Sequence, residues 1–174
     1  MCCCRDQRNN RDCGDIVWRK RCVCWCEPVC VRRRSNRCDN HIEGMSLQLT
    51  TSGCHPLPTG CPIVFDEILT KNSRAMCCHE DTGVIEVRRC GTYAIDWDVV
   101  VENSEKACIC FSLEINGKIT SSSTLPATSG QLTGSALIEV DTLPTTIRLI
   151  NNTGCAVELS DFSPVAHLRI MTVN

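Results

Sequence analysis

From residue 62 onward the chain alternates. Tyr93, Ile95, Trp97, Val99 and Val101 take every second position, with Asp96 and Asp98 between them. A period of two is the mark of a strand with one face buried. Ile109, Phe111, Leu113 and Ile115 repeat it, and the Asn116-Gly117 that follows is a strong hairpin signal. Further strands are expected at Ile63-Val64-Phe65, 83–88, 136–140, 146–150, 156–159 and 165–171. Asn151-Asn152-Thr153-Gly154 is expected to turn the chain between two of them. Ser121 to Gly134 is rich in turn formers and reads as a polar loop. About eight short strands at such intervals, with no helical pattern among them, predict an all-β sandwich or jelly roll.

The first third differs. Residues 17–26 alternate, Trp18, Lys20, Cys22, Cys24 and Cys26 against Val17, Arg19, Arg21, Val23 and Trp25, until Pro28 ends the run. Gly44, Gly53, Pro56, Pro58 and Gly60 then break the chain around one alternating piece, Leu47-Gln48-Leu49. The organisation expected is an extended N-terminal arm or connector over 1–45, a linker over 46–61 and a jelly-roll domain over 62–174.

Charge and cysteine sharpen that division. Residues 1–38 hold ten Lys and Arg against four Asp and Glu, a net +6, while residues 39–174 carry −8. Opposite signs favour contact between arm and body, in one chain or between neighbours. Nine of the 17 cysteines fall in residues 1–38, a density typical of disulfide scaffolds or metal-rich chains. No run of 18 apolar residues predicts a membrane helix, and the opening Met1 to Arg8 has no apolar stretch for a secretion signal.

Geometry restricts how the cysteines can pair. Neighbours such as Cys2, Cys3 and Cys4 have Cα atoms ~3.8 Å apart, inside the ~4.4 Å lower limit for a disulfide. Cys22, Cys24 and Cys26 share one face at ~6.6 Å spacing with parallel Cβ vectors, which suits pairing elsewhere. In the body, alternation turns Cys108 and Cys110 outward, and Cys155 stands at a hairpin tip. An odd total leaves at least one thiol unpaired within a monomer. Cross-linking is therefore expected through Cys2, Cys3, Cys4, Cys13, Cys22, Cys24, Cys26, Cys30 and Cys38 of the arm and Cys108, Cys110 and Cys155 of the body. The competing reading is a zinc site from Cys22, Cys24, Cys26 and Cys30, with Cys38 and His41 behind, although one-residue gaps are tight for wrapping zinc. No cofactor is expected.

Other combinations favour structural roles. Cys77-Cys78-His79-Glu80 lacks an orienting or oxyanion motif, so a cross-linked loop is preferred to catalysis and the chain is not expected to be an enzyme. His167 reads as a surface or interface histidine, and His55 as a loop residue. Arg32-Arg33-Arg34 with Trp18 and Trp25 nearby suggests nucleic acid, but an acidic body would repel phosphate, and docking on acidic neighbouring subunits is preferred.

Four segments, Gly91-Thr92-Tyr93-Ala94-Ile95-Asp96-Trp97, Phe111-Ser112-Leu113-Glu114-Ile115-Asn116-Gly117, Leu149-Ile150-Asn151-Asn152-Thr153-Gly154 and Ala166-His167-Leu168-Arg169-Ile170, occur in the order and spacing of a known ladder. Over residues 62–174 the chain resembles the complement-like and tumour-necrosis-factor-like jelly-roll domains that end collagen-like exosporium glycoproteins of bacterial spores. Here a cysteine-rich arm stands where those proteins have a collagen-like stalk. The resemblance implies a homotrimer without a catalytic centre, with Tyr93, Ile95, Trp97, Leu168 and Ile170 as core or trimer residues. It further implies exposure at the spore surface after mother-cell lysis, where oxidation makes disulfides durable. The function expected is a self-assembling subunit of a disulfide-cross-linked spore appendage or exosporium layer. Its partners would be other copies of itself and other spore-surface proteins, with no nucleic acid or membrane. The alternative is a trimeric adhesin or ligand-binding tip on a disulfide- or zinc-stabilised arm.

Overall fold

The longest alternating run forms the longest strand. In the computed structural model, which describes residues 43–51 and 55–173, the strands are β1 (Gly44–Leu49), β2 (Glu67–Lys71), β3 (Met76–His79), β4 (Val84–Val87), β5 (Gly91–Ser104), β6 (Ile109–Ile115), β7 (Lys118–Leu125), β8 (Gly130–Val140), β9 (Thr145–Asn151), β10 (Val157–Leu159) and β11 (Ala166–Val173). All pairings are antiparallel. One sheet runs β8-β5-β11-β1-β2, with β10 beside the far end of β5; the other runs β3-β4-β9-β6-β7. The chain crosses between sheets at both ends, giving a two-layer jelly roll.

The odd positions of β5 meet the core, so Tyr93, Ile95, Trp97, Val99 and Val101 are buried against Ile109, Phe111 and Leu113 of the facing sheet, as are Leu168 and Ile170 of β11. Tyr93, Ile95, Trp97, Leu168 and Ile170 are thus committed to the interior of one chain. The outward face of this sheet carries Ala94, Leu137 and Met171 instead, with Leu137 exposed. Tyr93 keeps its polar end satisfied by donating to the Arg89 carbonyl at 2.8 Å. The Asn116-Gly117 turn joins β6 to β7 with φ of 50° and 78°, as a two-residue hairpin requires.

Two sequence expectations change. The segment read as a loop, Ser121 to Gly134, holds most of β7 and the start of β8. Its inward positions on β7 are Ser121, Ser123 and Leu125, so a period of two is present but carried largely by serine. The reason is space. Gly134 pairs with Trp97, and a Cβ there would lie 2.3 Å from the indole ring and 2.2 Å from Ser123 Oγ. The tryptophan fills the edge of the core, which leaves room only for small residues around it. Second, β1 lies within the stretch read as the arm's end and a linker, yet it sits inside a sheet between β11 and β2 with Leu47 fully buried. The exposed β2 and the short β3 lack a clear alternating signal, and the Ile63-Val64-Phe65 piece packs Ile63 and Phe65 into the core without joining a ladder as a strand.

Candidate functional site: a thiol-bearing end of the sandwich

The strand registers define two ends. At one lie the start of β1, where the described body begins, and the end of β11, with the Glu43 amide donating to Thr172 Oγ1. At the other lie the β5–β6 and β9–β10 connections and residues 55–62. That second end gathers free cysteines: Cys61, Cys108, Cys110 and Cys155. Cys108 is exposed, the other three half-buried. Alternation does turn Cys110 outward, but Ser112, Asn152 and Thr153 partly cover it. Its amide donates to Thr153 Oγ1 at 3.0 Å, and its carbonyl accepts from the Asn152 amide at 2.8 Å. Cys155 Sγ lies 3.6 Å from Ser104 Oγ.

Asn151 holds this end together. It is fully buried, and its side-chain amide donates to the carbonyls of Leu57 and Cys155, both at 2.9 Å. Its oxygen accepts the Thr153 amide at 2.9 Å. Its backbone carbonyl accepts from Gly60 at 2.7 Å, and its amide donates to Cys61 at 3.0 Å. One carboxamide thus ties the Leu57 segment, which leads to Cys61, to the turn that carries Cys155. Cys61, which local pattern leaves in a linker, is held in the cluster by these bonds together with the Leu57–Val157 and Pro62–Ile150 bridges that flank it.

The field at this end is negative. Glu80, Asp81, Glu102, Glu105, Glu158 and Asp161 are exposed on its loops or strand ends, against a single basic residue there, Lys106. Lys71, Arg74, Arg88, Arg89 and Lys118 lie toward the opposite end, where the arm joins. Cys77 and Cys78 are free on β3, and Cys90 is disulfide-bonded. Burial pushes the Cys78 thiol up, with help from neighbouring Cys77 and Glu80. Cys2, Cys3, Cys4, Cys13, Cys22, Cys24, Cys26, Cys30 and Cys38, including the zinc alternative, lie outside the described residues. Among the described residues, no group of three or more His, Cys, Asp or Glu is arranged to hold a metal ion.

A second polar array crosses the outer face of the β5 sheet. Ser46 Oγ is 3.1 Å from His167 Nε2, and His167 Nδ1 is 3.7 Å from Asp98. The order serine, histidine, acid matches a nucleophile, base and orienting group. However, Ser46 is only 8 % exposed, and the backbone amides of these strands are used in ladder pairing rather than aimed at an oxyanion. The arrangement satisfies a half-buried histidine. His79 pairs instead with Glu86 at 3.5 Å.

No protein-family model matches the chain, and no curated protein matches it. Solved structures do. Eiger TNF from S. frugiperda aligns with a TM-score of 0.64 at 12% identity, covering 76% of this chain and 93% of that one. Murine APRIL aligns at 0.60 and 8% identity over 76% of this chain and all of its own. The globular domain of zebrafish complement 1qA protein aligns at 0.56 and 12% identity, over 75% and 95%. At such identities the likeness establishes the fold. The chain is a jelly roll of the tumour-necrosis-factor and complement type.

Proposed function

We propose that this protein is a self-assembling structural subunit of a disulfide-cross-linked spore-surface filament or layer. In this reading its jelly rolls trimerise, and the arm of one subunit bonds covalently to the body of another. The single observation that carries it is the opposition of the two ends. The chain enters the body at one end, while Cys61, Cys108, Cys110 and Cys155 stand at the other. Because the entry point and these four thiols lie at opposite ends, an arm-to-thiol bond between neighbouring subunits would join the bodies end to end. Forty-two extended residues reach roughly 140 Å, about three times the ~45 Å length of a 14-residue strand such as β5. The arm's +6 and the acidic thiol end favour encounter before any bond forms.

The trimer and the spore surface come from the family resemblance and the neighbours' fold type. Replacing Cys2, Cys3 and Cys4 with Ser should leave folded bodies and abolish high-mass species on non-reducing gels. Mass spectrometry of oxidised assemblies that finds every disulfide within one chain would refute the reading. A ligand-binding tip, which the cytokine-like and complement-like neighbours favour, needs no subunit-to-subunit disulfides. Filaments that resist hot detergent and dissolve only with reductant separate the two.

A further inference from the structure

Half of the eight basic residues in residues 39–174 meet at one corner of the sandwich. Two adjoining cavities of about 550 Å³ each open there, sharing Asn72, Arg74 and Arg88. One is lined in addition by Lys71, Ser73, Met76 and Cys77. The walls are fixed. Ser73 Oγ donates to Glu43 at 2.7 Å and accepts the Ala75 amide at 3.0 Å, and the Arg88 amide donates to the Ala75 carbonyl at 2.8 Å. The β2–β3 loop is thereby held against the β4–β5 connection.

The charges in the cavity are unequal. Glu86, directly across from Cys77, is the opposing acid, and Arg88 engages it. Lys71 and Arg74 make no ion pair among the described residues and supply the surplus positive charge. Strand alternation separates the two neighbouring thiols. Cys78 packs against the core, where burial keeps it protonated, while Cys77 faces the cations. Adjacent residues on a strand cannot form a disulfide with each other, so Cys77, whose sulfur meets only the Cys78 carbonyl at 3.9 Å within its own hairpin, has a thiol, access and a cationic wall, but no disulfide partner there.

We propose that Cys77 is an S-thiolation site selective for small anionic disulfides, with Lys71, Arg74 and Arg88 recognising carboxylates that flank the S–S bond. The Cys77 thiolate attacks one sulfur of the reagent disulfide. A Cys77–S–S–R bond forms, the reagent S–S bond breaks, and the departing thiolate takes up the proton that Cys77 released. Exchange conserves the number of disulfides and needs no further oxidant. Nearby cations raise the local concentration of an anionic reagent beside the thiol. The basic arm has no such attraction to this corner, so the site is distinct from the thiol end and does not depend on the filament reading.

The test uses the full-length chain and three disulfides of different charge: glutathione disulfide (anionic), 2-hydroxyethyl disulfide (neutral) and cystamine (cationic). Brief exposure at low ionic strength, acid quench and fragmentation mass spectrometry give the rate at each cysteine. At Cys77 the anionic reagent should exceed the cationic one by about tenfold, allowing for solvent screening. At Cys108, beside Glu105 and Lys106, that order should be absent or reversed. Half-molar salt should compress the Cys77 preference. The exposed pair Lys71→Gln and Arg74→Gln should erase it while leaving the neutral rate within about twofold. The proposal is overturned if Cys77 reacts with none of the three while Cys108 does, if both cysteines share one charge order, or if the preference survives salt or the double substitution.

Discussion

Removing the Asn151 carboxamide should loosen the thiol end selectively. In Asn151→Ala three hydrogen bonds disappear, but they are not equivalent. The Leu57 carbonyl keeps the Val157 amide at 3.0 Å and loses only its second donor, at a cost of about 0.5–1 kcal/mol. The Cys155 carbonyl belongs to a half-buried residue and can turn to water, for about the same. The Thr153 amide is the expensive one. Its residue is 7 % exposed, and a buried donor without an acceptor costs about 1–3 kcal/mol. The total is about 2–5 kcal/mol. Asn152→Ala is the matched control, since Asn152 is exposed and its side chain makes one bond, to Ser112 Oγ at 3.0 Å; about 1 kcal/mol or less is expected. Urea unfolding of the reduced full-length chain gives the stabilities, and alkylation rates at Cys61 and Cys155 report whether their segments have come loose. Both rates should rise in Asn151→Ala and not in Asn152→Ala. Equal stabilities for the two variants, or unchanged alkylation at both cysteines, would show that the carboxamide does not organise this end.

Other consequences are equally direct. Gly83 has φ +63°, and a Cβ there would stand 2.2 Å from the Ile63 carbonyl oxygen, whereas Gly117 has φ +78° and open space; Gly83→Ala should cost about 3 kcal/mol or more and Gly117→Ala about 1 kcal/mol, compared by denaturant midpoint. Partial burial pushes the Asp66 carboxyl up, but the hydroxyl and amide of Thr50 and the amide of Thr51 outweigh it and hold the pKa below its ordinary value. The stability that Asp66 contributes is therefore full above the unfolded-state pKa of about 4 and lost as pH falls through the lower folded-state value. Asp66→Asn should flatten the acid-unfolding slope below about pH 4. Reduced full-length protein should have the mass of three subunits in light scattering; a monodisperse monomer would remove the trimer from the proposed function.

How much was legible in the sequence follows from which side chains carry the period. Where Val, Ile, Leu and aromatics mark every second residue, as in β5, β6 and β11, strand and inward face are both readable. Where the core edge is filled by one large ring, as at Trp97, its neighbours must be Gly134 and Ser123, and a buried edge looks like a turn. Central position is no better announced, since β1 carries only six residues between glycine- and proline-rich flanks. The thiol end was half legible. Alternation turns Cys108 and Cys110 outward, but the cover over Cys110 comes from Asn152 and Thr153, some forty residues away. Cys61 reaches the cluster through bonds to Asn151, and Cys77 acquires its cationic wall from Lys71, Arg74 and Arg88 on separate elements. Such meetings are properties of the closed sandwich, not of any local pattern.

The free thiols therefore fall into two electrostatic environments, and that division limits what each can do. Cys108, Cys110 and Cys155 stand in an acidic field at the end remote from the arm, where a cationic polypeptide is attracted and small anions are repelled. Cys77 stands among cations near the arm's own end, where the preference reverses. Oxidant alone would not discriminate among so many cysteines, because exposed thiols of similar chemistry exchange at similar rates. Opposed fields supply that discrimination without requiring a specific pocket for each bond. In the proposed assembly they would let the basic arm of one subunit bond at the thiol end of the next while a small anionic disulfide caps Cys77. The two effects also differ in range. In the proposed assembly, attraction of the arm would sum over many charges and weaken steadily with salt, whereas the Cys77 preference rests on the surplus charge of Lys71 and Arg74 and should vanish with their substitution without affecting any cross-link made at the far end.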